Sequence, residues 1–211
     1  MLQSKTLTNC WPRERTKLDD QSLIKEILDG DTNAFKELVH KYESQVAATV
    51  IGMLGPGPEA EDIGQETFLR FYRALAGFRG ESSVGTYVTR IAINLCLNVI
   101  KRRVRQRELY VSDGEGKLES LGHNPETEHR DAMSHLVNLG LQRLDAKFRA
   151  VIVLRLVEGY TTRETAEILR LPEGTVLSRL ARGQQKLKEI LSHYYPINDD
   201  NDENAISGDG P

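Results

Sequence analysis

From Val84 to Arg103 the apolar residues Val88, Ile91, Ala92, Leu95 and Val99 recur three or four positions apart. That spacing lines one face of a helix, so the segment is predicted to be amphipathic and to pack that stripe against other helices. Its opposite face is polar and mostly cationic: Arg90, Asn94, Asn98 and Lys101 share a stripe, and Lys101, Arg102, Arg103, Arg105 and Arg107 close the segment. Such a face suits nucleic acid. Guanidinium and ammonium groups neutralise phosphates, while an asparagine amide, with donors and an acceptor, can read a base edge. The plainer use of the same stripe is a solvated face whose terminal cations complement the negative end of the helix dipole. The helix alone does not choose between them.

Its surroundings do. Ser22 is placed to cap a helix through Leu28, with Gly30 as its stop; Ala34, Phe35, Leu38, Val39 and Tyr42 begin the stripe of a second helix reaching about Leu54. Gly55-Pro56-Gly57-Pro58 forces a turn, and a third helix is expected from Glu59 to Leu75. With the helix from Val84 to about Arg105, this makes an all-helical first domain, assigned to residues 21–105 after a mobile N-terminal arm, 1–20. Between 106 and 131 periodicity fails, and Gly114, Gly116, Gly122 and Pro125 stand among acidic residues, the composition of a flexible acidic linker.

A second domain is expected at 132–195. Asp145 can cap a helix with Phe148, Val151, Ile152 and Leu156 as its apolar stripe and Gly159 as its stop. Thr161 and Glu164 have capping-box spacing, opening a short helix that buries Ala166 and Leu169. Leu171-Pro172-Glu173-Gly174 makes a turn. The last helix, about Thr175 to Leu191, points Val176, Leu180, Leu187 and Leu191 inward and Arg179, Arg182, Lys186 and Lys188 outward or sideways. Three helices with a tight turn before a basic last one follow the helix-turn-helix plan. The fold class is therefore all-α, with two small helical domains and an acidic tail, 196–211, of disordered composition.

Composition sets outer limits. At 211 residues, 39% hydrophobic and 28% charged, the chain has room for two small domains. No apolar run reaches the length of a membrane span and Met1 to Asp20 lacks an apolar signal core, so a cytoplasmic protein without membrane insertion is expected. The net charge of −3 does not argue against a nucleic-acid partner, because local patches set that attraction. Cys10 and Cys96 are placed on a polar arm and an apolar helix, an unpromising disulfide pair. His123, Glu126, Glu128, His129 and His135 show no recurring ligand spacing, so neither a metal nor a cofactor is expected.

Two blocks of sequence carry a family resemblance. The first runs Asp62-Ile63-Gly64-Gln65-Glu66-Thr67-Phe68-Leu69-Arg70-Phe71-Tyr72-Arg73-Ala74-Leu75, then Phe78-Arg79-Gly80-Glu81-Ser82-Ser83, then Thr86 to Asn94; the second holds Gly159-Tyr160-Thr161, Ala166-Glu167-Ile168-Leu169 and Glu173 to Leu180. In this order they resemble the extracytoplasmic-function sigma factors of bacterial RNA polymerase. The resemblance implies a protein that binds core RNA polymerase, directs it to promoters and helps melt them, with promoter DNA as second partner and an anti-sigma factor as a third. It places polymerase docking on Asp62, Gln65 and Glu66. It places minus-ten contacts on Phe78, Arg79, Ser82, Ser83, Tyr87, Arg90, Asn94, Asn98 and Lys101, and minus-thirty-five contacts on Thr175, Ser178, Arg179, Arg182 and Lys186. It also implies a linker that threads the channel through which RNA leaves the polymerase. The chain departs from the family pattern at Val84 and Tyr87, where an aromatic and a tryptophan are preferred. At Leu177 and Gln184 basic residues are usual, and fewer phosphate anchors imply weaker duplex binding by this domain alone.

Two other classes compete. A ligand-responsive helix-turn-helix regulator would share the last third of the chain without the docking motif. An enzyme on nucleic acid would need clustered catalytic groups or a phosphate-cradling loop, and neither H-E-x-x-H nor G-x-x-x-x-G-K-[ST] occurs.

Overall fold

The computed structural model describes residues 16–111 and 130–194, and the regular structure there is helical: α1 (Thr16–Leu28), α2 (Thr32–Leu54), α3 (Pro58–Ala74), α4 (Val84–Val111), α5 (Arg130–Arg143), α6 (Ala146–Ile152), α7 (Thr162–Leu169) and α8 (Glu173–Ser192). Residues 1–15 of the arm expected at 1–20, most of the linker (112–129) and the tail lie outside the described residues, whereas residues 16–20 form the start of α1, with Asp20 buried.

Local chemistry explains most of the boundaries. Asp31 caps α2, its carboxylate accepting the Asn33 N–H at 2.7 Å, and Gly55 closes that helix at φ 82°. Pro58 opens α3 at a position whose N–H has no helical partner in any case. Helix α1 starts at Thr16, so Ser22 lies exposed inside it and is not its cap. What holds that early turn is Asp20, 3% exposed, which accepts from Lys41 Nζ at 2.8 Å and from the Tyr42 hydroxyl at 2.5 Å. Burial, reinforced by Asp20, pushes the Tyr42 hydroxyl well above the usual phenol range. Helix α4 continues through 106–111, where the linker was expected to begin. No glycine or proline lies between Arg105 and Val111 to stop it.

The second domain contains a helix the sequence reading did not separate, α5, which packs on α2 and α8. Asp145 precedes α6 but makes no side-chain cap; its carbonyl accepts the Phe148 and Arg149 N–H groups instead. Beyond Ile152 the chain widens into a π-turn, Val153–Val157. The wider turn carries Leu156 off the buried stripe expected of it, leaving it 54% exposed. The capping box of α7 forms as read: Thr161 Oγ1 accepts the Glu164 N–H at 3.2 Å, and Glu164 Oε2 accepts the Thr161 N–H at 2.8 Å. Arg170, at φ 53°, closes α7 in the left-handed conformation and delivers the chain to α8. Val151, Ala166 and Val176 bury the inner angle of this helix-turn-helix, with Leu169 and Leu180 against them.

Helix α2 is the central element. It packs on α1, α3 and α4 through Leu38, Val46, Val50 and Met53, each at most 1% exposed, and its C-terminal half also meets α5, α6 and the π-turn. Leu141, Ile152 and Leu154 of the second domain therefore join the same buried cluster as Phe71, Val88 and Ile93 of the first.

Gly183 lets α6 and α8 approach. A Cβ there would lie 3.1 Å from Ile152 Cγ1 and 3.4 Å from Phe148 Cβ, whereas one at Gly174, in the first turn of the same helix, would meet nothing within 4 Å. Gly183→Val is expected to cost about 1–3 kcal/mol by overpacking. Gly174→Ala is expected to add about 0.5–1 kcal/mol through the unfolded state. Urea denaturation of the two variants checks the contrast.

Candidate nucleic-acid interface

The entry to α4 is built by local hydrogen bonds. Ser83 Oγ accepts the Thr86 N–H at 3.1 Å and lies 2.9 Å from Thr86 Oγ1, so this serine caps the helix. Just before it, Gly80 takes φ 69° and turns the loop back. Phe78 and Tyr87 meet edge-on at 5.2 Å, and both contact buried Phe71, at 6.4 and 5.9 Å. These contacts fix the ring planes, so the aromatic surface is in place before anything binds.

A cleft of about 610 Å³ opens beside them, lined by Gly77, Phe78, Arg79, Glu81, Ser82, Tyr87 and Arg90, with Glu167 of α7 at its wall. Five of the nine residues assigned to the minus-ten element thus come together. Arg90 is half-buried and its Nε has no hydrogen-bond partner. A buried donor left unanswered carries a desolvation cost that an incoming acceptor would relieve. An aromatic wall flanked by the guanidiniums of Arg79 and Arg90 and the carboxylates of Glu81 and Glu167 offers stacking surface in a setting of mixed charge.

Asn94, Asn98 and Lys101 lie exposed along α4, outside the cleft, while Val88, Ala92, Cys96 and Val99 are buried on the opposite side. Of the cationic tip, Arg102 and Arg103 are held by Glu59 of α3, so part of the charge read from sequence is neutralised within the domain. Arg105 and Arg107 are exposed. Burial pushes the Cys96 thiol up to about 12, which removes it as a nucleophile.

On α3 the three proposed docking residues share a face. Asp62 and Gln65 are exposed, and half-buried Glu66 pairs with Arg70 at 2.7 Å. The same face continues into Leu69, 50% exposed, and Tyr72, 49% exposed, whose ring the Phe35 ring of α2 meets at 4.8 Å. Sequence reasoning missed these two apolar members. The signal was there, since positions 62, 65, 69 and 72 follow the same three-and-four spacing.

On α8, Ser178, Arg182 and Lys186 are exposed, and Thr175 and Arg179 half-buried. The Ser178 hydroxyl donates to the Thr175 carbonyl at 3.0 Å, and Lys186 Nζ stands 6.0 Å from the Phe148 ring, so Lys186 lies on the side of the helix turned toward α6. Leu177 is 53% exposed on this otherwise polar face. Among the described residues no group of three His, Cys, Asp or Glu side chains could hold a metal ion, and no helix is long and apolar enough to cross a membrane.

Residues 38–106 match the family model for sigma-70 region 2 and residues 140–189 that for sigma-70 region 4. The RNA polymerase sigma-H factor of Pseudomonas aeruginosa is 30% identical over 184 residues, covering 83% of this chain and 95% of that one. The ECF RNA polymerase sigma-E factor of Escherichia coli is 31% identical over 179 residues, covering 81% and 93%. Among solved structures, the sigma factor RpoE of Bartonella quintana, in complex with the anti-sigma factor NepR, matches with a TM-score of 0.60 at 25% identity, over 75% of this chain and 96% of that one. The chain belongs to the extracytoplasmic-function sigma factors of bacterial RNA polymerase. It is a transcription initiation factor that directs the polymerase to promoters, and the matches to both sigma regions do not favour a ligand-responsive regulator.

Two ionisable groups at the contact between the domains are shifted. Burial, then repulsion from Arg103, lowers the Arg149 guanidinium to about 10. Burial raises the Glu158 carboxyl to about 7, which the neighbouring Thr49 of α2 offsets only in part. A raised carboxyl favours the folded chain fully only below the unfolded value of 4.5, so this burial costs progressively more as pH rises from 4.5 to about 7. Glu158→Gln is expected to stabilise the protein at pH 8 by up to about 3 kcal/mol, with the gain vanishing toward pH 4.5. Melting curves of both proteins across that range measure it.

Proposed function

We propose a division of labour among the surfaces just described. The α3 face of Asp62, Gln65 and Glu66, extended by Leu69 and Tyr72, docks on core polymerase: its carboxylates supply orientation and its exposed apolar groups supply area to bury. The cleft at the start of α4 receives an unstacked minus-ten base, stacked on Phe78 and Tyr87 and held at its backbone by Arg79 and Arg90. Ser82 lines the same cleft, and Ser83 acts by fixing the helix start. Asn94, Asn98 and Lys101 continue the track along the strand. Thr175, Ser178, Arg179, Arg182 and Lys186 approach the minus-thirty-five duplex from α8, the helix that enters the major groove in this motif. These roles fall to a first domain of residues 21–105 and a second of 132–195, joined by the acidic linker. The protein acts by binding, without catalysis of its own, in the cytoplasm, and is held in check by an anti-sigma partner, as the RpoE relative is paired with NepR.

The observation that carries this reading is the cleft itself, where preset aromatic rings and the unanswered Arg90 donor stand at the head of a helix whose exposed stripe leads away from them. Two experiments test it. Asp62→Ala with Glu66→Ala removes exposed or half-exposed groups and one surface ion pair, so the melting temperature should hardly move while polymerase affinity falls. Unchanged retention on immobilised core polymerase would remove the docking assignment.

Melting and duplex recognition separate in the second experiment. Asn94→Ala should leave polymerase binding intact, lower open-complex formation by about 1–3 kcal/mol and relax base preference at one minus-ten position. Arg179→Ala and Arg182→Ala should weaken recruitment at the upstream element and recover partly in low salt, because phosphate contacts act through counterion release. Permanganate footprinting beside a binding assay reads both. Normal melting with unchanged preference in the Asn94 variant would show that this amide meets only water and no base.

A further inference from the structure

One large apolar side chain stands on the outer surface of α8. Leu177 lies in the second turn of that helix and is 53% exposed, although its neighbour Val176 is fully buried. Packing does not call for it there. Val176 joins Val151 and Ala166 in the helix-turn-helix core, Leu180 lies against them, Gly183 faces α6, and Leu187 lies over Gly140 of α5, so these positions mark the inner side of α8. Two rows run along its flanks, each with members spaced four, three and four residues apart. Thr175, Arg179, Arg182 and Lys186 form the first and carry three cations. Leu177, Ala181, Gln184 and Lys188 form the second, two residues later and therefore on the opposite flank, and it is uncharged until Lys188. Gly174, one turn before Leu177, has no side chain, and a Cβ there would meet nothing within 4 Å, which leaves the approach to the leucine open.

The two rows suit different parts of a duplex. Cations grip phosphates along a groove wall, and an uncharged row cannot. What the major groove offers an alkyl group is the 5-methyl of thymine, since the base-edge atoms around it are hydrogen-bond donors and acceptors. The N-terminal turns of a recognition helix, where Leu177 and Ala181 lie, are the ones that reach base edges. We propose that Leu177 is a specificity-determining residue of this sigma factor, selecting thymine at one position of the minus-thirty-five element by packing its isobutyl group on the thymine methyl. The proposal rests on the reading of α8 as the helix that enters the upstream duplex. Cytosine at the same position would lack the methyl and set an amino donor beside an alkyl group that cannot accept from it. Apolar contact involves no counterion release, so the preference should hold at all salt concentrations, unlike the contributions of Arg179 and Arg182.

Uracil isolates the contact, because it differs from thymine by that methyl alone and keeps the same hydrogen-bonding edge. Holoenzyme assembled from the full chain and bacterial core polymerase first selects bound duplexes from a promoter-length pool of random sequence. Thymines in the upstream element of the selected duplex are then replaced by uracil one at a time, on either strand. With the wild-type chain one replacement should weaken binding about three- to ten-fold, by the same factor at low and high salt. Leu177→Ala removes an exposed group from a helix that alanine favours, so its melting temperature and retention on core polymerase should be unchanged. It should bind the thymine duplex no better than the uracil one. Arg182→Ala should weaken both duplexes and leave their ratio in place. While the arginine variants still weaken binding, the absence of any uracil-sensitive position, or a sensitivity that survives Leu177→Ala, overturns the proposal. If Leu177→Ala, Arg179→Ala and Arg182→Ala all leave upstream binding unchanged, the failure lies instead with the reading of α8 on which the proposal rests.

Discussion

A helix ends in carbonyls that have no partner within it, and the way those of α2 are answered organises this molecule. Met53 and Gly52 present theirs to Arg149 and Gln142, groups from the opposite domain. The arrangement suits the charge, since a guanidinium drawn out of water is compensated by the negative end of a helix dipole and by several converging carbonyls. It also explains why an arginine is buried in the middle of α6, where a hydrophobic residue would leave α2 unfinished. Because α1, α3 and α4 all pack on α2, the joint is made on the helix that also supports α4.

The joint combines a shared apolar cluster, to which Leu141, Ile152 and Leu154 contribute from the second domain, with buried polar contacts. Tyr160 reaches Gln45 and Thr89 through hydroxyl and amide groups that water could serve equally well, and Glu158 is buried at a cost to its charge. Hydrogen bonds of about 1 kcal/mol net each, set against such a cost, specify the geometry of the interface, while the shared apolar cluster supplies its burial. Within that cluster Val153 packs directly over Gly52, where a Cβ would lie 2.9 Å from a valine methyl. Phe71 and Val88 of the first domain and Ile152 and Ile168 of the second are buried in this one cluster.

Much of the fold is legible in the sequence because it follows from neighbours in the chain. The α4 stripe, the Thr161–Glu164 capping box, the stop at Gly55 and the turn before α8 all rest on spacings of four residues or fewer. The misses share the opposite property. Ser22 looked like a cap because Asp20 gives no local hint that Lys41 and Tyr42 will bury it; Leu156 fell on a regular stripe that the π-turn displaces; Arg102 and Arg103 read as free cations until Glu59 of another helix is placed beside them. The candidate site shows the same division. Its residues were named from motifs, whereas the cleft that gathers Phe78, Arg79, Ser82, Tyr87 and Arg90, and the Glu167 that borders it, depend on contacts between helices distant in sequence.

Arg170 closes α7 at φ 53°, a conformation that costs a side-chain-bearing residue about 1 kcal/mol and that glycine would adopt freely. An arginine there gives up conformational ease and keeps an exposed positive charge in the elbow between α7 and α8. The left-handed turn thus trades conformational ease for a positive charge held at the surface beside α8.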